Sequence, residues 1–326
     1  MKLARWQYSD QVEEGLVIDD RAVPFTDGVG IQDLLDWGLA RALEYGRGAA
    51  GGAGRPLADV VLLTPLRPPA IRDFVAFEEH VEGVVRSVDS SNGVVPQWYE
   101  APTFYFTNPH TLLATGQTLV PPASERLDFE LEVAAVVGGV PGSDGRSLTP
   151  EEAQQHIFGY AVFNDWSARD LQSREMQVRL GPCKGKDFAS TLGPWITTAD
   201  EVADRLDADG FLDLAMAVSV NGREIGRDTL ANMGWPFRDL LAYASRDSRI
   251  VPGDLLGSGT AGSGCLAELW GRAGELTPPP LRPGDEVTLT VEGLGTVTNI
   301  VGQPLPSPAI PRARQRPGSK AVKEHA

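Results

Sequence analysis

The sequence predicts a mainly β protein with helices at its periphery, an α+β class. Runs of strand length, apolar or alternating, recur at 127–137, 157–163, 212–220 and 286–291. Helical periodicity is confined to a few short stretches. Turn signals separate the runs. Asn221-Gly222 suits a tight hairpin, and Pro-rich turns stand at 278–280 and 283–284.

Taken in order, 3–8 and 15–19 read as short strands. Residues 31–45 read as one amphipathic helix, with Ile31, Leu34, Leu35, Leu39 and Leu43 near helical spacing. The Gly/Ala-rich run 48–56 is the expected link between a small leading domain and the main body. Residues 60–63 form a short apolar strand. The polar stretch 78–100 reads as a long loop, a candidate lid. Helices are expected at 150–155, 167–176 and 233–244, and a strand at 265–270. The resulting division is 1–58, a small β-rich domain with one helix; 59–306, the main domain; and 307–326, a disordered tail. From residue 311 that tail carries five basic residues and one acidic residue.

Composition removes several function classes. The 326 residues include 29 Lys and Arg against 44 Asp and Glu, so the formal charge is −15. That balance argues against nucleic acid and against an anionic membrane surface. Two cysteines, Cys183 and Cys265, are too few for a disulfide framework or a Cys-rich zinc site. No apolar stretch of about 18 residues spans a membrane, and the first residues lack a signal-peptide h-region. A cytoplasmic protein is expected, with oxygen-ligated metal chemistry open to it.

Alternation along 127–133 puts Asp128, Glu130 and Glu132 on one strand face, opposite Phe129, Leu131 and Val133. Two readings stand: a solvent-facing acidic strip, or carboxylates gathered on a hard cation. Asp165 closes an apolar strand and precedes a helix, as a cap or as a group aimed into a crevice. Arg169 and Gln172 share a helix face, either to bind a carboxylate or an oxyanion or with Arg169 in a surface ion pair. Lys186 sits in a Gly-bounded loop that lacks the phosphate-loop spacing, while Lys184 is expected to face water. His80 is a general-base candidate on the expected lid. Thr260 ends a Gly-rich turn. Asp73 and Glu268, taken alone, read as surface carboxylates.

Three motifs occur together: Asp-Phe-Glu-Leu-Glu-Val at 128–133, Phe-Asn-Asp-Trp-Ser-Ala-Arg-Asp-Leu-Gln at 163–172 and Gly-Lys-Asp-Phe-Ala-Ser-Thr-Leu-Gly-Pro-Trp at 185–195. Pro-Gly-Asp-Leu-Leu-Gly-Ser-Gly-Thr follows at 252–260. In this order and spacing the chain resembles the fumarylacetoacetate hydrolase family from about residue 60 to 305. The resemblance implies a mixed β-sandwich/β-roll core behind a small N-terminal domain, in a homodimer. It implies a divalent metal, Mg²⁺ before Mn²⁺ or Ca²⁺, on Glu130, Glu132, Asp165 and Asp73. His80 matches the general base and Glu268 the carboxylate that orients it. Lys186, Arg169 and Gln172 match residues that bind substrate and oxyanion, and Thr260 a substrate-carboxylate contact. Ser190 departs from a Thr often found near the metal. The implied activity is hydrolysis of a carbon–carbon bond in a β-diketo acid, fumarylacetoacetate or an acylpyruvate. Oxaloacetate decarboxylation and isomerase, hydratase or lyase reactions on enolic acids are the alternatives. A non-catalytic metal-dependent binding protein or a purely structural acidic domain is the bland reading.

Overall fold

The computed structural model describes residues 1–89 and 93–314. The chain opens on an antiparallel meander, β1 (Lys2–Tyr8), β2 (Gln11–Ile18) and β3 (Arg21–Pro24). Strand β2 starts four residues before the expected 15–19, because its first half is polar and solvent-facing. Two helices follow, α1 (Ile31–Trp37) and α2 (Leu39–Ala49). The single helix expected at 31–45 is broken at Gly38. Its φ of 82° lies outside the helical region and is easily reached only without a Cβ.

The run 48–56 is not a free linker. It ends in β4 (Arg55–Pro56), and β5 (Val61–Leu63) follows. Then come β6 (Ile71–Phe74), α3 (Glu78–Asp89), β7 (Phe104–Thr107), β8 (Leu112–Leu113), β9 (Thr118–Leu119) and β10 (Leu127–Asp128). The central strand is β11 (Leu131–Val137). Beyond it lie α4 (Pro150–Gln155), β12 (Ile157–Asp165), β13 (Ser167–Ala168), α5 (Arg169–Met176) and β14 (Ser190–Thr198). The chain continues through β15 (Ala215–Val220), β16 (Arg223–Thr229), α6 (Phe237–Ser245), β17 (Leu255–Gly257) and α7 (Leu266–Ala273). It closes its regular structure with β18 (Glu286–Val291) and β19 (Gly295–Val301). Residues 302–314 carry no helix or strand, and the remainder of the expected tail lies outside the described residues.

Two main sheets and a two-stranded one, β10-β13, organise these elements. The larger runs β4-β3-β2-β1-β14-β12-β11-β17-β6-β7, with β5 on β1 and β8 on β14. The smaller runs β16-β15-β18-β19-β9. Leu131, Val133, Ala135 and Val137 of β11 pack with Met216, Val218, Leu289 and Val297 of the smaller sheet. Ala134 and Val136, on the other face, pack with Leu3, Leu34, Leu35 and Phe158. From Val133 onward strand β11 is therefore apolar on both faces because both are covered. Mixed α+β architecture is the outcome, as expected from the strand-length runs. The leading meander continues the larger sheet through Lys2↔Thr197 and Leu3↔Ile196, so backbone hydrogen bonds cross the division expected at residue 58.

Three local expectations are corrected. The strand 127–137 is interrupted at Phe129 and Glu130, where the Glu130 N–H donates to the Asn164 side chain at 3.0 Å in place of a ladder bond. The loop expected from residue 78 begins with helix α3, while residues 90–92 lie outside the described residues. The strand expected at 265–270 is helix α7. Its apolar residues fit either period over six positions, and the carboxylate of Asp128 decides between them. That group accepts from the Leu266 and Ala267 amides at 2.8 and 3.0 Å, anchoring the helix start.

Candidate active site

Strand ends bring the acidic groups together. Asp73 comes from β6, Glu132 from β11, Glu130 from the break before it, and Asp165 from the last position of β12. All four are buried. Donor oxygens of Asp73, Glu130 and Glu132 lie within 4.8 Å of one another. Asp165 stands beside them through Lys186, whose Nζ is 2.7 Å from Asp165 and also pairs with Glu130. Asp165 therefore acts neither as a simple cap nor as a surface group. Gly257 of β17 makes room for the cluster, because a Cβ there would collide with Asp73 Oδ1. The Ser190 hydroxyl donates to Asp165 at 3.3 Å, and Thr260 to Glu132 at 3.4 Å.

The charges are unevenly shared. Burial pushes Asp73 up to about 8, and Asp165 adds to the effect. Burial and then Asp73 raise Glu132 well above the carboxylate range. Burial also raises Asp165 against the pull of Lys186. Glu130 goes the other way: burial opposes its charge, but Lys186 and Arg169 outweigh burial and hold it at about 2. Apart from each other, Asp73 Oδ1 and Glu132 Oε2 find no hydrogen-bond donor among the described residues. Buried carboxylates that repel each other and have partnerless oxygens fit a hard divalent cation.

Cationic side chains line the opposite side. Arg169 Nε donates to Asp128 at 2.8 Å, and its Nη2 is 2.8 Å from both Asp128 and Glu130. It is a buried ion pair, not the surface pair its sequence also allowed. Its Nη1 donates to Gln172 Oε1 at 3.1 Å, so the i,i+3 pair shares one face as expected. The carboxylate of Glu175 gathers the amides of Cys183, Lys184 and Gly185 at 2.8–3.0 Å, which shapes the loop carrying Lys186. Lys184 faces water and pairs with Asp187.

His80 and Glu268 meet through packed helices α3 and α7. Gly83 lets the helices approach, since a Cβ there would collide with Glu268 Cγ. Glu268 is fully buried, which corrects its surface reading. His80 Nδ1 lies 3.8 Å from Glu268 Oε2, too long for a hydrogen bond, and 3.7 Å from Cys265 Sγ. Glu268 Oε2 accepts from the Ser263 amide at 2.8 Å, and Oε1 pairs with Arg272.

A cavity of about 460 Å³ joins these parts. Asp73, Glu130 and Glu132 stand in its wall with His80, Arg169, Gln172, Lys186 and Thr260. Val81, Val95, Trp98, Phe104 and Met176 supply an apolar side. Two residues with polar roles escaped the sequence reading. Tyr105 on β7 donates to Asp165 and lies 3.1 Å from Asp73. Nothing in Phe-Tyr-Phe marked it, because the stretch carries no charge and no motif and no element was expected there. Asp128 was placed on the acidic face, but its joint contact with Arg169 and α7 needs the tertiary fold.

A family model described as fumarylacetoacetate (FAA) hydrolase C-terminal matches residues 70–302. The chain belongs to this family. Among curated relatives, fumarylacetoacetase of Arabidopsis thaliana is 31% identical over 312 residues, covering 77% of this chain and 73% of that protein. Among solved structures, maleylpyruvate hydrolase from Sphingobium sp. SYK-6 superposes with a TM-score of 0.68 at 25% identity, covering 93% of this chain and all of that one. A second structure of that hydrolase, with manganese(II) and pyruvate, gives a TM-score of 0.66 at 24% identity and 94% coverage of this chain, again over all of the other; this likeness carries the fold. Among the described residues no helix is long and apolar enough to cross a membrane.

Proposed function

We propose that the protein is a divalent-metal-dependent hydrolase that cleaves a carbon–carbon bond of a β-diketo acid, fumarylacetoacetate or an acylpyruvate. One observation carries the reading. A single cavity holds crowded carboxylates short of donors, a buried lysine and arginine, and an imidazole backed by a buried carboxylate. A family member with these groups in one cavity is equipped for hydrolysis rather than binding alone.

Glu130, Glu132, Asp165 and Asp73 would hold the metal, with Mg²⁺ proposed first. When bound, such a cation supplies positive charge to an oxygen-rich substrate and its anionic leaving group. The protein's own groups do the rest. His80 Nδ1 faces Glu268, which leaves Nε2 to take a proton from water. The carboxylate of Glu268 favours the imidazolium that forms. Hydroxide adds to the distal carbonyl. Lys186, kept cationic by Asp165 and Glu130 despite its burial, stabilises the resulting oxyanion together with Gln172. Arg169 and Thr260 position the substrate carboxylate. The carbon–carbon bond then breaks, and His80 returns the proton to the departing carbon. The products are a carboxylate and an oxo acid, a 2-oxo acid from an acylpyruvate and a 3-oxo acid from fumarylacetoacetate. A homodimer in the cytoplasm is the proposed setting.

The test is a panel of acylpyruvates, fumarylacetoacetate and oxaloacetate, assayed with Mg²⁺ and with chelator. Loss of diketone absorbance that needs Mg²⁺ is the expected result. Release of CO₂ from oxaloacetate with no diketone cleavage would overturn hydrolysis in favour of decarboxylation.

A further inference from the structure

We propose that His80, Cys265 and Glu268 form a second metal site, selective for Zn²⁺ and similar thiophilic cations, whose occupancy disables the base. The donor atoms of the three residues lie within 4.8 Å of one another, and all three side chains are buried. His80 Nδ1 is 3.7 Å from Cys265 Sγ and 3.8 Å from Glu268 Oε2. Donors around a tetrahedral zinc ion, with bonds of about 2.0–2.3 Å, stand roughly 3.3–3.7 Å apart. His80 is already within about half an ångström of that spacing from both partners, and the third pair, within 4.8 Å, need only draw together to close the site, leaving a fourth position for water.

The scaffold holds the donors in advance. Cys265 directly precedes α7 and Glu268 lies in its first turn, three residues on, so both project to one side. His80 reaches them from α3, held close by Gly83. The Ser263 amide and Arg272 orient the Glu268 carboxylate from behind, as outer partners orient metal ligands. Two cysteines exclude a Cys-rich site, but this mixed site needs only one.

Donor chemistry separates the two clusters. Thiolate and imidazole suit zinc, whereas Mg²⁺ and Ca²⁺ select oxygen and favour the neighbouring carboxylates. Zinc capture exchanges the Cys265 thiol proton for the metal, releasing one H⁺ to solvent. It also occupies the Nδ1 lone pair. The neutral ring then carries its hydrogen on Nε2, so that nitrogen cannot take a proton from water. This consequence rests on His80 acting as the base; binding itself does not.

The experiment uses the full chain with the exposed Cys183 changed to Ser, saturated with Mg²⁺ and titrated with Co²⁺. A thiolate-to-cobalt charge-transfer band is expected, displaced by Zn²⁺ and absent after a further Cys265→Ser. Cys265→Ala provides the same comparison should the serine variant not fold. No band in the Cys183→Ser protein, or a band that survives loss of Cys265, overturns the site. In parallel, the ratio of turnover with and without micromolar Zn²⁺ is measured in each variant. Zinc sensitivity should fall about tenfold or more without Cys265. Equal sensitivity overturns the link to the base. Failure to turn over any panel substrate counts against the hydrolase reading alone, because the cobalt band still decides the site.

Discussion

The carboxylate cluster and the His80–Glu268 pair occupy one cavity but are built differently. The carboxylates ride on strands or beside strand ends, where ladder pairing sets the backbone at Asp73, Glu132 and Asp165 and the Asn164 side chain holds it at Glu130. β11 is held on both sides, by β12 and by β17, which in turn pairs with β6. The base pair rides on two helices whose separation depends on one missing side chain at Gly83. Each half has its own glycine, Gly257 for the carboxylates and Gly83 for the base. Rigid backbone can force like charges together, at the cost of leaving oxygens without donors. Helix packing can bring a base near its partner without enforcing a hydrogen bond.

If the halves are separable, substitutions should split metal binding from turnover. Glu130→Gln should have the largest effect, removing Mg²⁺ affinity in calorimetry and activity together; a variant that binds Mg²⁺ normally yet is inactive would break the assignment. His80→Ala should lower kcat by about 10²–10⁴ while Mg²⁺ affinity stays near that of the parent. Full activity in this variant would remove His80 as the base. The two glycines give a matched pair of smaller effects. Gly257→Ala should weaken Mg²⁺ binding, and Gly83→Ala should lower kcat with binding intact, each with overpacking of about 1–3 kcal/mol in denaturant unfolding. The same deficit in both variants would mean that the halves are mechanically one unit.

The smallest effect is in protons. Burial raises Asp73 to about 8, so the metal-free protein mostly keeps its proton at pH 7, and Glu132 is shifted in the same direction, toward its protonated form. A cation must displace those protons, so its apparent affinity should rise with pH toward about 8, the value for Asp73, and fall below it. Calorimetry in buffers of different ionisation enthalpy should record net proton release at pH 7. Zero release would show that the carboxylates are already ionised.

Legibility follows the same split. Strands β11, β12 and β14 are written in apolar runs because both of their faces are covered, and the acidic positions stand out against that background. Helix α3 opens on charged and polar residues, so 78–89 read as loop, and α7 has only 8 residues, so 265–270 read as strand. Glu268 read as surface because only the packing of α3 on α7 buries it. Tyr105 and Asp128 acquire their partners from elements 32 to 139 residues away in sequence, a separation no local pattern reports.

By itself the sequence determined the α+β class, the strand-borne acidic motifs, the family and the exclusion of Cys-rich metal chemistry. These depend on residue type and short spacing, which alternation and composition record directly. Only the tertiary structure decided that the leading meander joins the larger sheet, that the acidic strand breaks at Glu130, and that Cys265 stands beside His80 and Glu268. Those outcomes depend on hydrogen bonds and packing between distant segments, whose free energy exists only once the chain has closed on itself.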